Sequence, residues 1–541
     1  MKFQGLIIDP LNRRQFHGEI AVEDGRIASI QQKPAKEGSP CILPGFVDAH
    51  VHIESSMLTP HEFARLATPQ GTVAAVSDPH EIANVCGISG VRFMMENGAR
   101  APFTFAFGAP SCVPATPFES AGAAINAQEL RELFQDARIH YLSEVMNFPG
   151  VLHRDPIMME KIQIAKEYGR VVDGHAPGLR GNDMRAYIQS GISTDHECFT
   201  LEEALEKIEA GMHIIVREGS AARNFEALHS LFSMHPARAM MGSDDKHPDD
   251  LAAGHINTLV KRAIAKGHSA MDVLQAACVN PVLHYGLDLG LLRPGDPADF
   301  IVIDGMRDWN ILQTYVKGRL VAERGRPLFA SIEADGLNQF CIDEIDKESF
   351  QLKSNTAEVR VIGVLDGQLI TTELQGRARL VDGYLEADPE ADILKIAVIN
   401  RYRKQAPAIA FIQNFGLKRG AIGSSVAHDS HNIVAVGTSD EELCAAVNAI
   451  IRSKGGISLS LHGKTELLPL PIAGLMNGGD GYEIAKQYRK LDEGAKQLGS
   501  KLSAPYMTLS FMALLVIPAL KLSDRGLFDG NTFQFVSPVR A

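Results

Sequence analysis

A chain of 541 residues is long enough for several domains with sizeable cores. Hydrophobic residues make up 45% and charged residues 22%, an ordinary globular composition. The net charge of -12 argues against the clustered basic surface of a nucleic-acid or anionic-membrane binder. The cysteines at 41, 86, 112, 198, 278, 341 and 444 form no C-x-x-C and suit a reducing cytoplasm better than a disulfide framework. The opening MKFQGLIIDPLNRR has too short an apolar run for a signal peptide. The longest apolar stretch, Phe511–Leu520, carries Pro518 and falls short of the roughly 20 residues that cross a bilayer; a buried strand or core helix is expected there. A soluble, cytoplasmic protein with no nucleic-acid and no membrane partner is therefore expected.

Residues 1–43 predict short strands at Gly5–Ile8, Glu19–Val22 and Arg26–Ile30, with a hairpin turn at Glu23-Asp24-Gly25. Two or three strands cannot bury a core alone. The string LLRPGDPADFIVIDG followed by TYVKGRLV repeats the strand-turn-strand pattern, so 1–43 plus 286–330 are expected to form one small composite β domain. Between these flanks, 44–285 alternates short apolar runs with helical patterns at Pro156–Tyr168, Leu201–Ile208 and Ser269–Ala277. Strands are predicted at Phe46–His52, Thr72–Val76, Phe103–Phe107, Tyr141–Val145, Val171–Val172, Ile192–Thr194, His213–Val216 and Ala239–Met241, the number and span of a (β/α)8 TIM-like barrel. Residues 331–541 read as a C-terminal α+β domain. Its strands are AEVRVIGVL, ILKIAVI, AIAFIQ and NIVAVG, and its helices DEELCAAVNAIIRS and GYEIAKQYRKLDEGAKQL. Ser439-Asp440 is a candidate N-cap and Gly455-Gly456 a candidate stop for the first helix.

Barrel chemistry sits at the C-terminal ends of the strands. The stretch PGFVDAHVHIESSMLTP places His50 and His52 two residues apart, on one face of the first strand. At later strand ends stand Glu144, His175, His196 and Asp244. Singly, each has a plain structural reading as a wet strand residue, a loop histidine or a helix cap. Together, on strands 1, 4, 5, 6 and 8, four imidazoles and two carboxylates form the pattern of a binuclear metal centre. Mixed nitrogen and oxygen ligands without thiolate suit Zn, Mn, Fe or Co, and a carboxylate such as Glu144 can bridge two cations that jointly lower the pKa of a shared water.

This ligand order, with the RPGDPADFIVID return to a small β domain, resembles the amidohydrolase superfamily. The strings PGFVDAHVHIESSMLTP, SDPHEIANV, SEVMNFPGV and LPLPIAGLM resemble the bacterial adenine deaminase family within it, over nearly the whole chain. Two departures stand out. Many amidohydrolases bridge their metals with a modified lysine on strand 4, where this chain has Glu144, and only a few dozen residues precede the H-x-H pair, fewer than in many relatives, which bears on a strand or subunit contact at that end.

The resemblance implies hydrolysis of adenine to hypoxanthine and ammonia in purine salvage, by a homo-oligomer using two divalent ions, manganese first with iron or zinc as alternatives. It puts His50, His52 and Asp244 on one ion, His175 and His196 on the other, and Glu144 on both. A bridging hydroxide would attack C6 of adenine, with Asp244 shuttling the proton to the leaving amine. His80 and Glu81 are the candidates for stabilising charge on the ring nitrogens; a capped helix start is their structural alternative. His428, Asp429 and His431 in AHDSHN read first as a solvated turn and second as a cover or substrate contact at the barrel mouth.

Another deaminase or a cyclic amidase would use the same metal set. A non-catalytic scaffold should have lost ligands, and a cytidine-deaminase site fails because His52-Ile53-Glu54 has no P-C-x-x-C to complete it.

Overall fold

A computed structural model describes residues 1–540. Its centre is a ring of parallel strands, labelled here β1 (Phe46–Val51), β2 (Thr72–Ser77), β3 (Thr104–Ala109), β4 (Ile139–Val145), β5 (Val171–Gly174), β6 (Thr194–Asp195), β7 (His213–Arg217) and β8 (Ala239–Gly242). β1 to β5 form one sheet and β6 to β8 another. Parallel bridges Val172–Ile192 and Val51–Asp244 join them into a closed barrel. The predicted strands match these to within a few residues; β6 is the shortest, since only Thr194 and Asp195 pair with β7. Tight strand approach is built in by small residues. A Cβ on Gly242 would stand 2.9 Å from the Ile215 side chain and 3.1 Å from the His50 carbonyl.

The two flanks form a single eight-stranded sheet, in the order 326–327, 319–323, 311–316, 300–303, 41–44, 2–9, 14–23, 26–32. They meet where Cys41–Pro44 runs antiparallel to Phe300–Ile303. Each run supplies apolar residues to one side, as in Ile7, Ile20, Ile42 and Phe300, which share a buried cluster. The predicted helix at Ser269–Ala277 is instead a short α-helix, Ala270–Leu274, running into a π-turn at Gln275–Val279 before Asn280–Tyr285. Pro281 lacks an amide hydrogen, and a wider turn accommodates it.

Residues 358–469 build a second eight-stranded sheet, ordered 371–377, 358–364, 408–413, 394–399, 433–437, 421–424, 456–461, 464–469. All four predicted strands are present in it. The helices Asp440–Ser453 and Gly481–Gln497 also appear. Ser439 Oγ accepts from Glu442 N–H as the N-cap, and the helix ends at Lys454 and Gly455, both at positive φ. The apolar run at 511–520 is neither a full strand nor a helix. Helix Pro505–Phe511 ends as the run begins, 512–519 is irregular, and strand Leu520–Ser523 starts at its end. Most of its apolar side chains are buried, and Phe511 and Leu514 line the cavity over the barrel site, a role that periodicity does not reveal. No helix among the described residues is long and apolar enough to cross a membrane.

Candidate metal and base-binding site

The barrel fold carries one functional side chain after another to the same end. His50 lies in β1 and His52 just beyond it, with Nε2 of each 3.3 Å from Asp244 Oδ1 after β8. Glu144, near the end of β4, occupies the middle. Its Oε2 is 3.0 Å from His175 Nδ1 and 3.0 Å from His196 Nε2, while Oε1 is 3.5 Å from His52 Nε2. All six residues predicted as metal ligands are therefore together, and all are buried.

Burial favours raising the Glu144 carboxyl, but the neighbouring His175 and His196 imidazoles hold it well below the usual carboxylate range. Asp244 is held down likewise, with Arg217 opposing the effect of burial. Arg217 ends β7 and pairs with Asp244 Oδ2, and its Nη1 lies 2.6 Å from Glu197 Oε1.

The site rests on buried polar struts. Asp48 accepts from Ser243 N–H at 2.9 Å and faces His255 Nε2 at 2.7 Å, which pins β1 to β8 beneath the histidines. Lys207 donates to Asp195 at 2.8 Å and to the Ala176 carbonyl at 2.8 Å, tying together the residues beside His196 and His175. Ser111 Oγ donates to the Glu144 carbonyl at 2.5 Å, and Lys161 Nζ to the Ser111 carbonyl at 2.7 Å.

Whether these residues fit a cation can be tested on their unmet valences. Among the described residues, buried atoms without a hydrogen-bond partner include Nδ1 of His50 and Nε2 of His175. Each such atom would cost about 1–3 kcal/mol if left unpaired, so this cluster is poorly explained as a structural network. Three overlapping ligand sets have donor atoms within 4.8 Å of one another: His52, Asp78, His80 and Glu144; His50, His196 and Asp244; Glu144, His175 and His196. These buried clusters suit a divalent metal. Glu144 belongs to two of them, and Asp78 and His80 extend the expected set.

The amidohydrolase family model matches residues 41–321, and the adenine deaminase C-terminal domain matches 368–534. An adenine deaminase of Sulfurovum sp. is 52% identical over 544 residues, covering 100% of both chains. One of Salinibacter ruber is 52% identical over 535 residues, covering 98% of both, and one of Methanosarcina acetivorans 50% over 546 residues, covering 99% of both.

The chain belongs to the adenine deaminase family.

The C-terminal domain that marks this family reaches into the barrel site. Residues 427–432 are buried, so AHDSHN is not a solvated turn. His428 Nδ1 and His431 Nε2 each lie 2.5 Å from one oxygen of Glu81, at the start of helix α1 (His80–Gly98). His80 and Glu81 open that helix, whose first amide, that of His80, donates to Asp78 Oδ1 at 3.1 Å, and both residues line the chamber. His428 stacks on Phe511 with ring centroids 4.8 Å apart. Burial works against its charge, but Glu81 and Asp245 push the imidazole up to about 9.

A narrow chamber of about 20 Å³ lies between the two domains. His52, Glu144, His175, His196 and Asp244 line its polar part, His428 and Asp429 one side, and Met146, Leu369, Phe511 and Leu514 an apolar side. Asp78, Glu197 and Arg217 were not among the sequence candidates. Asp78 follows β2 directly, so the strand-end rule that found the others would have found it. Arg217 is a cation, which a search for ligand types passes over.

Proposed function

We propose that this chain, an adenine deaminase, hydrolyses the exocyclic amine of free adenine to give hypoxanthine and ammonia, with two divalent ions in the barrel site and manganese as the first candidate. His50, His52, His175, His196, Glu144 and Asp244 would hold the ions, with Glu144 between them. When bound, the ions supply Lewis-acid activation of water.

The chain's own residues account for the remaining steps. Asp244 is the group that takes a proton from the attacking water and delivers it to the departing amine. Arg217 engages its Oδ2, which leaves Oδ1 toward His50 and His52. As water adds at C6, electron density builds on the ring nitrogens, and a hydrogen-bond donor placed there stabilises it. His428 is suited to that role: it lines the chamber, its Nε2 makes no hydrogen bond, with Asp245 Oδ1 3.7 Å away, and Glu81 and Asp245 favour its protonated form. His80 is a second donor at the same rim. Asp429 Oδ2, also without a partner, can accept from a ring N–H. Both oxygens of Glu81 are engaged by imidazoles, so it acts through His428 and His431 instead of meeting the base itself.

The observation that carries this reading is the meeting of a buried metal-type cluster with a C-terminal loop that offers one unpaired donor and one unpaired acceptor to the same chamber. A polar pocket of this kind rejects ligands that leave its groups unpaired. The test is ammonia release with ultraviolet absorbance for adenine, adenosine, guanine and cytosine in parallel, using metal-replete enzyme. Adenine should be turned over well and adenosine poorly, because ribose adds bulk at N9. Good turnover of another of these with adenine untouched would refute the assignment.

A further inference from the structure

The chamber must exchange base and product with solvent, and its polar side is held by docked, hydrogen-bonded groups. The 427–432 loop is docked on Glu81, and β1 and β8 are pinned together below by Asp48. The apolar side is different. Beyond Met146 lies a second cavity of about 270 Å³, lined by Pro117, Phe118, Phe148, Pro149, Val516 and Phe533, with no charged side chain among its described lining residues. Met146 belongs to the walls of both cavities. The irregular segment 512–519 is also shared, since Leu514 faces the inner cavity and Val516 the outer. The outer cavity is formed by the loops after β3 and β4, at the end of the barrel that carries the site. Phe533 is 45% exposed at its rim.

We infer that this apolar cavity is the vestibule through which the neutral base reaches the chamber, with Met146 as the gate between them. The inference rests on the adenine reading above and adds to it a route and a filter. An uncharged planar heterocycle can stack on Phe118, Phe148 or Phe533 and lose little hydration in passing. A phosphorylated nucleotide would have to strip water from its charges with no counter-charge on the vestibule wall. Methionine suits the gate because its unbranched thioether chain changes rotamer easily. The segments around it are irregular loops, which can give way without breaking a ladder of strand hydrogen bonds.

The test blocks the vestibule after folding. Val516 is half-buried and lies outside the inner chamber, and among the described residues Cys341 is the one exposed thiol, with Cys444 half-buried. A Val516→Cys variant in a Cys341→Ser background would be labelled with methyl- and benzyl-methanethiosulfonate, with Pro149→Cys as a second blocking position. The expected result is a fall in kcat/KM for adenine of about tenfold or more with the benzyl label, less with the methyl label. Reductant should restore it, and metal content should stay unchanged throughout. Turnover by the same protein before labelling separates a wrong route from a wrong substrate. Unchanged kcat/KM with the benzyl label at both positions would overturn the inference, as would a loss that reductant does not reverse or that follows metal loss.

Discussion

On the barrel side of the chamber, the functional groups sit at the ends of successive strands, each placed by the strand that carries it. His50 and His52 share a face because they are two residues apart, and β1 meets β8 through the backbone bond from Asp244 N–H to the His50 carbonyl at 2.9 Å. On the opposite side, the groups come from a loop almost 350 residues away in sequence from its partner Glu81. That side is held by two imidazoles on one carboxylate, a stacked Phe511 and a few apolar side chains. One wall is thus fixed by secondary structure and the other by domain docking. The first suits ion ligation, which tolerates little displacement; the second suits recognition of a planar base.

If that division is right, damage to the two walls should differ in kind. The largest effect is expected from Glu144→Gln. It removes a charge that two of the ligand sets share, so metal occupancy should fall and kcat should drop by about 10³-fold. Were Glu144 only a helix cap, the cost would be about 1 kcal/mol of stability with activity intact. Metal analysis alongside kcat distinguishes the two.

His428→Gln comes next. The change removes the cationic donor and half of the clamp on Glu81 while leaving every barrel ligand in place. We expect kcat/KM for adenine to fall about 10- to 100-fold with metal content preserved. A variant as active as the parent would remove the loop from base recognition.

This contrast also explains what was legible in the sequence. The barrel cluster could be read because strand periodicity and strand-end position are local properties. His50, His52, Glu144, His175, His196 and Asp244 all lie where the alternation of strands and helices put them. The C-terminal strands at 394–399 and 433–437 were readable as unbroken apolar runs, whereas 371–377 and 464–469 were not, being largely exposed edge strands of mixed polarity. The AHDSHN loop looked like a solvated turn because nothing local shows that Glu81 lies opposite it. The 511–520 run was ambiguous for a related reason: apolar content reports burial, but not that Phe511 and Leu514 line the chamber.

The smallest expected effect concerns Lys521, which donates to the Leu369 carbonyl at 2.6 Å and to the Phe511 carbonyl at 2.9 Å, just behind the apolar side. Burial brings its amine down from the ordinary 10.5 to about 7. Between those values the unfolded chain binds a proton that the folded chain does not, so native stability should rise with pH across that window. Lys521→Met abolishes this titration. From pH 7 to 9, the parent's Tm should gain on the variant's by about 2 °C or more, measured by calorimetry. Parallel pH profiles would show that the amine stays charged when folded.

The most direct test of the two-wall account is to count metal and measure kcat/KM for adenine on the same preparations of the parent, Glu144→Gln and His428→Gln. The account predicts about two ions per chain in the parent, loss of both metal and turnover in Glu144→Gln, and a full metal complement with impaired kcat/KM in His428→Gln. It is contradicted if His428→Gln loses metal in step with activity, or if Glu144→Gln keeps its ions.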